Sequence, residues 1–247
     1  AILESLAKCT FMLTGQIQRL HNTDASTQTA ALRATAREMK KLKEYGLVKH
    51  LVRRIGGVRA GSSSLVWYLS EAGHRFLELD SDNKKSRKRH LEPSLNHLSH
   101  TIAVSACYVQ IHEICRQNSE LNLSQAETEP NCWRPYSHHG NTVQLKPDLF
   151  FATKCGEYED RWFVEIDLAT ESPTTILRKC ERYHDYYKTN LEQRKHGVFP
   201  VTMWLVPDKA RKEVLRTAIS KAYKKSTKMF LVIMPDELEE LIVRGFD

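Results

Sequence analysis

Between Ala1 and Met12 the apolar positions recur at helical spacing, and a second short helix is expected over Gly15 to His21. Asn22-Thr23-Asp24 turns the chain. Ser26 or Thr27 then stands where a cap is needed for a longer helix to about Glu44, with Leu32, Thr35, Ala36, Met39 and Leu42 on one stripe. After the Tyr45-Gly46 stop, Leu47 to Arg54 and Leu65 to Leu69 read as two strands joined by a stretch from Gly56 to Ser63 rich in glycine and serine. Ser70-Glu71-Ala72-Gly73 opens another short helix.

The pattern changes after residue 92. A helix from Pro93 or Ser94 to about Gln117 carries Leu95, Leu98, Ile102, Cys107, Val109 and Ile111, and Leu121 to Glu127 is a weak strand. Lys146 to Thr153 and Arg161 to Ala169 are strands rich in aromatic and branched residues, with a hairpin turn between them. A helix from about Pro173 to Lys195 follows. Val201 to Val206 is apolar throughout, as in a buried strand, and is followed by helix Lys209 to Lys224, strand Met229 to Met234 and helix Asp236 to Arg244. Strands flanked by helices make a mixed α/β sandwich over residues 93–247.

Helices followed by two strands with a glycine-rich connection predict a winged helix-turn-helix over residues 1–79, and charge sharpens that reading. Residues 1–92 hold 17 Lys and Arg against 9 Asp and Glu, whereas residues 93–247 hold 20 against 21. A basic module joined to a neutral one suits a grip on a polyanion by the first. Gln28, Thr29 and Arg33, near the start of the third helix, are candidates for base contacts, with Arg37 beside them and Arg53, Arg54 and Arg59 on phosphates. The plainer alternative is a solvated basic face on a module that serves protein contacts. Residues 80–92, with the run Lys84-Lys85-Ser86-Arg87-Lys88-Arg89, read as a basic linker.

At 247 residues, 41% hydrophobic and 27% charged, the chain has ordinary globular composition. No apolar run reaches the roughly 18 residues of a membrane span, and nothing at the start reads as a secretory signal. Six scattered cysteines form no CxxC pair or zinc spacing, which suits reduced thiols in a cytoplasm. There is no glycine-rich phosphate loop, which argues against a nucleotide-driven motor.

The candidate chemistry lies in two adjacent predicted strands. Pro147-Asp148 is followed seventeen residues later by Glu165-Ile166-Asp167. Alternation along a strand puts Glu165 and Asp167 on one face and Ile166 on the other. Two like charges so close are costly unless a cation lies between them, and Asp148 on the neighbouring strand can complete a carboxylate set for Mg²⁺ or Mn²⁺. Against this stands a turn acid after Pro147, with Glu165 and Asp167 on a solvated sheet face. Tyr183, Tyr186 and Tyr187 keep a covalent route open, although such spacing also serves helix packing. His138-His139 reads as a loop pair.

These residues carry a resemblance. Helix, strand, Pro-Asp, strand with Glu-x-Asp, then helix looks like the PD-(D/E)XK nuclease fold. The string Phe-Val-Glu-Ile-Asp-Leu-Ala-Thr-Glu-Ser followed by Lys179 through Tyr183, behind a winged helix, is similar to the replication-relaxation family, which includes the MobC-type relaxases of mobilisable plasmids. The likeness is sharp between about residues 93 and 190. It implies a bacterial, cytoplasmic, Mg²⁺- or Mn²⁺-dependent nickase acting on double- and single-stranded DNA at a plasmid transfer origin, with accessory mobilisation or coupling proteins as further partners. It also implies metal roles for Asp148, Glu165 and Asp167, with Glu113 as the acid that the preceding helix contributes. The nuclease motif calls for Lys two residues after the Glu, where this chain has Asp167. Lys179, two turns into the next helix, is the candidate to replace it, with Arg178 as substitute.

Two other functions compete with the nickase. One is a winged-helix replication or transcription regulator with an inert nuclease-like domain, and the other is a recombination or transposition endonuclease of the same fold.

Overall fold

The computed structural model describes residues 1–51, 65–79, 93–224 and 227–245. Its chain divides into two compact units, Ala1–Glu113 and Ile114–Asp247. The first contains helices α1 (Ile2–Cys9), α2 (Thr14–His21), α3 (Gln28–Glu44), α4 (Glu71–Glu78) and most of α5 (Leu95–Gln117), with strands β1 (Met12–Leu13), β2 (Val48–His50) and β3 (Val66–Leu69). The three strands form an antiparallel sheet in the order β1-β3-β2.

Side-chain caps set two of the helix starts. Thr27 accepts the amide of Ala30 at 3.2 Å to open α3, and Ser70 accepts the amide of Gly73 at 3.0 Å to open α4. Gly73 is required sterically, because a Cβ there would stand 2.1 Å from the Leu47 carbonyl oxygen. Leu6, Met12, Ile17, Met39 and Leu69 are fully buried in this unit. The α3 stripe keeps Thr35 and Met39 of the expected set and loses two others. Ala31, Thr35 and Met39 are its buried residues, whereas Ala36 is exposed and Leu32 is 36% exposed. The cause is polar: the Thr35 hydroxyl donates to the Ala31 carbonyl at 3.0 Å and accepts from the Asn22 side chain at 2.8 Å. Anchoring Thr35 inward turns the helix so that Leu32 and Ala36 face outward.

The second unit is a mixed α/β structure, as the pattern predicted. It contains strands β4 (Leu121–Thr128), β5 (Arg134–His138), β6 (Asn141–Leu145), β7 (Leu149–Cys155), β8 (Tyr158–Ile166), β9 (Val201–Leu205) and β10 (Phe230–Ile233), and helices α6 (Pro173–Lys188), α7 (Leu191–His196), α8 (Lys209–Ala222) and α9 (Leu238–Arg244). Five strands form one sheet in the order β10-β9-β8-β7-β4. Hairpin-connected β7 and β8 pair antiparallel, while β8, β9 and β10 run parallel because helices carry the chain between them.

Two features of this unit depart from the sequence reading. β5 and β6 form an unforeseen hairpin, turned by His139 (φ 48°) and Gly140 (φ 78°), both left-handed as a two-residue turn requires. The single helix expected from Pro173 to Lys195 is interrupted at Asn190 (φ 56°), a residue type that tolerates this conformation, and resumes as α7.

Alternation along β7 and β8 gives each face of the sheet its content. Phe150 and Phe163 cluster with Tyr183 and Tyr186 of α6, Trp204 of β9 and Leu215 of α8. Phe151 and Trp162 stack at 6.0 Å on the opposite face. Among the described residues, no helix is long and apolar enough to cross a membrane.

Candidate active site

β7 and β8 bring Asp148 and Glu165 together because their register pairs Leu149 with Val164, one position beyond each acid. The Asp148 amide donates to the Val164 carbonyl at 3.1 Å, and its Oδ2 accepts the Ile166 amide at 2.7 Å. Cys132 Sγ donates to the Pro147 carbonyl at 2.9 Å, which holds the approach to Asp148. Both acids are buried, Asp148 at 6% and Glu165 at 3% exposure. They do not lie on a solvated sheet face.

α6 supplies the partners of Glu165. Ser172 caps the helix and Pro173 occupies its first turn, where a missing amide hydrogen costs nothing. Its buried residues are Ile176, Cys180, Tyr183 and Tyr186, and Lys179 falls within that same helical stripe. A lysine placed there must find an anion. Lys179 Nζ lies 3.2 Å from Glu165 Oε2 and 3.1 Å from Glu171 Oε2, and Tyr183 donates its hydroxyl to Glu165 Oε1 at 2.7 Å.

The electrostatics follow from burial. Desolvation, with Asp148 adding to it, pushes the Glu165 carboxyl up to about 8, against the opposing pull of Lys179 and Tyr183. Burial acts to lower the Lys179 ammonium, but Glu165, Asp148 and Glu171 outweigh it and raise that group overall. The Tyr183 phenol is raised well above its ordinary range by burial and then by Glu165. With its hydroxyl inside the core, Tyr183 serves as a donor to Glu165. Tyr186 is likewise buried and donates to Glu192 at 2.8 Å, whereas Tyr187 is exposed and packs on Phe199.

Asp167 has a separate partner that the sequence did not disclose. Arg211, in the first turn of α8, approaches both of its oxygens, with Nε 2.5 Å from Oδ2 and a terminal nitrogen 3.1 Å from Oδ1. Arg211 also donates to the Glu171 carbonyl at 2.6 Å. Asp167 Oδ1 in turn accepts the amide of Ala169, which sits in the left-handed region at φ 59°. The acid that acts on Glu165 is Asp148 rather than Asp167, and each of Glu165 and Asp167 is met by its own cation, Lys179 on the first and Arg211 on the second. Parallel pairing of β8 with β9 carries Arg211 there, since the helix after β9 starts beside the end of β8. Only strand order reveals this, and no local motif signals it.

Asp148 and Glu165 thus lie side by side with Lys179, which is shared with Glu171, whereas Asp167 turns to Arg211 and does not join them in a three-carboxylate set. Asp148 and Glu165 offer only oxygen donors, which suits a hard divalent ion. Lys179 is 29% and Glu171 37% exposed at the side chain, so this edge of the cluster opens to solvent.

The remaining candidates fall elsewhere. Glu113 lies in the first unit, where Arg19 binds both of its carboxylate oxygens. Gln28, Thr29, Arg33 and Arg37 are all exposed on α3. Arg178 is exposed on α6. Arg53, Arg54 and Arg59 lie outside the described residues, as do the expected wing connection and the basic linker.

A model of the replication-relaxation family matches residues 3–202. No curated protein and no solved structure matches the chain.

Proposed function

Because the chain belongs to the replication-relaxation family, which points to replication or DNA processing, we propose that it is a metal-dependent, site- and strand-specific DNA nickase of the MobC relaxase kind, acting at a plasmid transfer origin. In this reading the first unit is a winged helix that presents α3 to duplex DNA, and the second is a PD-(D/E)XK-like nuclease domain. Support comes chiefly from one observation: Asp148 and Glu165 are buried side by side at the end of a hairpin, with Lys179 delivered onto Glu165 by the next helix.

Asp148 and Glu165 would hold Mg²⁺ or Mn²⁺, since both offer oxygen donors and the repulsion from Asp148 that raises Glu165 is what such an ion would relieve. When bound, the ion supplies Lewis acidity toward a phosphodiester oxygen. The protein's residues do the rest. Lys179 Nζ, partly open to solvent, stabilises the extra negative charge on the pentacovalent phosphorus, and Glu165 and Glu171 aim it there. Asp167 orients Arg211 and the turn through Ala169, and so fixes the approach to α6.

A second reading is favoured by a specific feature. Both oxygens of Glu165 and both of Asp167 already have protein partners, as in a structural ion-pair network of an inert domain that regulates replication or transcription. Supercoiled plasmid carrying a transfer origin, incubated with Mg²⁺, Mn²⁺ or EDTA, separates the two. The nickase converts it to open circles in the metal lanes alone, with one break in one strand, and Asp148→Asn or Glu165→Gln abolishes this. Intact supercoils in every lane, together with salt-sensitive DNA binding, establish the inert regulator instead.

A further inference from the structure

Leu32 and Ala36 pose a question that core packing does not answer. The α3 stripe that packs inward is Ala31, Thr35 and Met39, so these two apolar residues, one helical turn apart, are left at the surface. They stand beside a strongly cationic row: Arg33, Arg37, Lys40 and Lys41 are all exposed on the same helix. Thr29 and Gln28 precede them in the first turn, also exposed. A 17-residue helix is about 25 Å long, and its first half is the part that reaches base edges when such a helix enters a major groove.

Charge complementarity selects the occupant. A protein partner for this face would need an acidic surface, whereas a duplex brings regularly spaced phosphates at the groove edges and an apolar feature on its floor. That feature is the C5 methyl group of thymine, which projects into the major groove and marks one base out of four. Resting on the winged-helix reading above, we infer that Leu32 and Ala36 form a thymine-methyl reader along the edge of the exposed α3 face, with Arg33 and Arg37 beside them on the solvent side. The preferred site of this protein then contains at least one thymine whose methyl group contributes to affinity, within the half-site that α3 covers. Gln28 and Thr29 hydrogen-bond neighbouring base edges, and Lys40 and Lys41 take phosphates.

The test uses the full chain. Duplexes selected from a random pool by binding are remade with deoxyuridine in place of each thymine in turn, which removes the methyl and nothing else. The parental protein is expected to lose roughly fourfold in affinity at one or two positions, about the worth of one buried methyl-sized group. The Leu32→Ser/Ala36→Ser double variant, checked by thermal melting for an intact fold, should bind thymine and deoxyuridine duplexes equally. Equal binding of both by the parental protein overturns the inference and leaves the DNA-binding reading standing, as does a methyl dependence that persists in the double variant. Failure to bind any duplex at low salt overturns the winged-helix reading itself, and the methyl reader with it.

Discussion

Glu165 is the side chain on which pH acts most directly. Its carboxyl is raised to about 8 in the folded protein, first by burial and then by Asp148, against an ordinary value of 4.5. Between these two values the unfolded chain has released the proton and the folded chain retains it, so the native state binds more protons and stability falls as pH rises. Above about 8 both states are ionised and this contribution levels off. In EDTA, the melting temperature of the parental protein should therefore fall from pH 5 to pH 8 relative to that of Glu165→Gln, whose buried amide does not titrate. Parallel curves for the two proteins refute the assignment. Lys179 on the same cluster shows how a polar residue in an apolar stripe can be read: it has an ordinary helix position and an acid waiting opposite.

One buried ion pair ties the end of β8 to the start of α8. Asp167, just past the strand, is 1% exposed at the side chain and Arg211 12%. Removing one member of a buried pair strands the other charge, at a cost of about 3–5 kcal/mol. Arg211→Ala is thus expected to destabilise the chain by about 3 kcal/mol in urea unfolding, and the Asp167→Asn/Arg211→Ala double variant should recover part of that loss. If the double variant is less stable than Arg211→Ala alone, Asp167 is not the stranded charge. The same elements show where pattern reading worked and where it stopped. The starts of α3, α4 and α6 followed from Thr27, Ser70 and Pro173, because capping is local chemistry. The facing of α3 followed only in part: Thr35 and Met39 are buried as expected, but Ala31 takes the place of Leu32 and Ala36, on the side where Asn22 across the turn holds Thr35.

Across the whole chain, charge is unevenly distributed. The excess of Lys and Arg sits in residues 1–92, with the remainder nearly balanced. DNA affinity should fall steeply with salt, and Arg33→Ala or Arg37→Ala should each lower the slope of log K against log salt by about one. Glu165→Gln should leave that slope unchanged. A filter-binding salt titration measures all three, and an unchanged slope in both arginine variants removes α3 from the interface.

Legible in the residues alone were the mixed α/β class, the basic first third and the adjacent acidic strands, since each rests on periodicity, composition or spacing within a short stretch, whereas Lys179 is singled out only through the resemblance to the nuclease motif. The β5–β6 hairpin escaped because its polar strands carry no clear alternation, and the break at Asn190 because helical patterning runs on through it. Arg211 lies forty-four positions from Asp167 and meets it only because β8 and β9 pair in parallel. Which charges neutralise one another is a property of strand order and burial, and these exist only once the chain has folded.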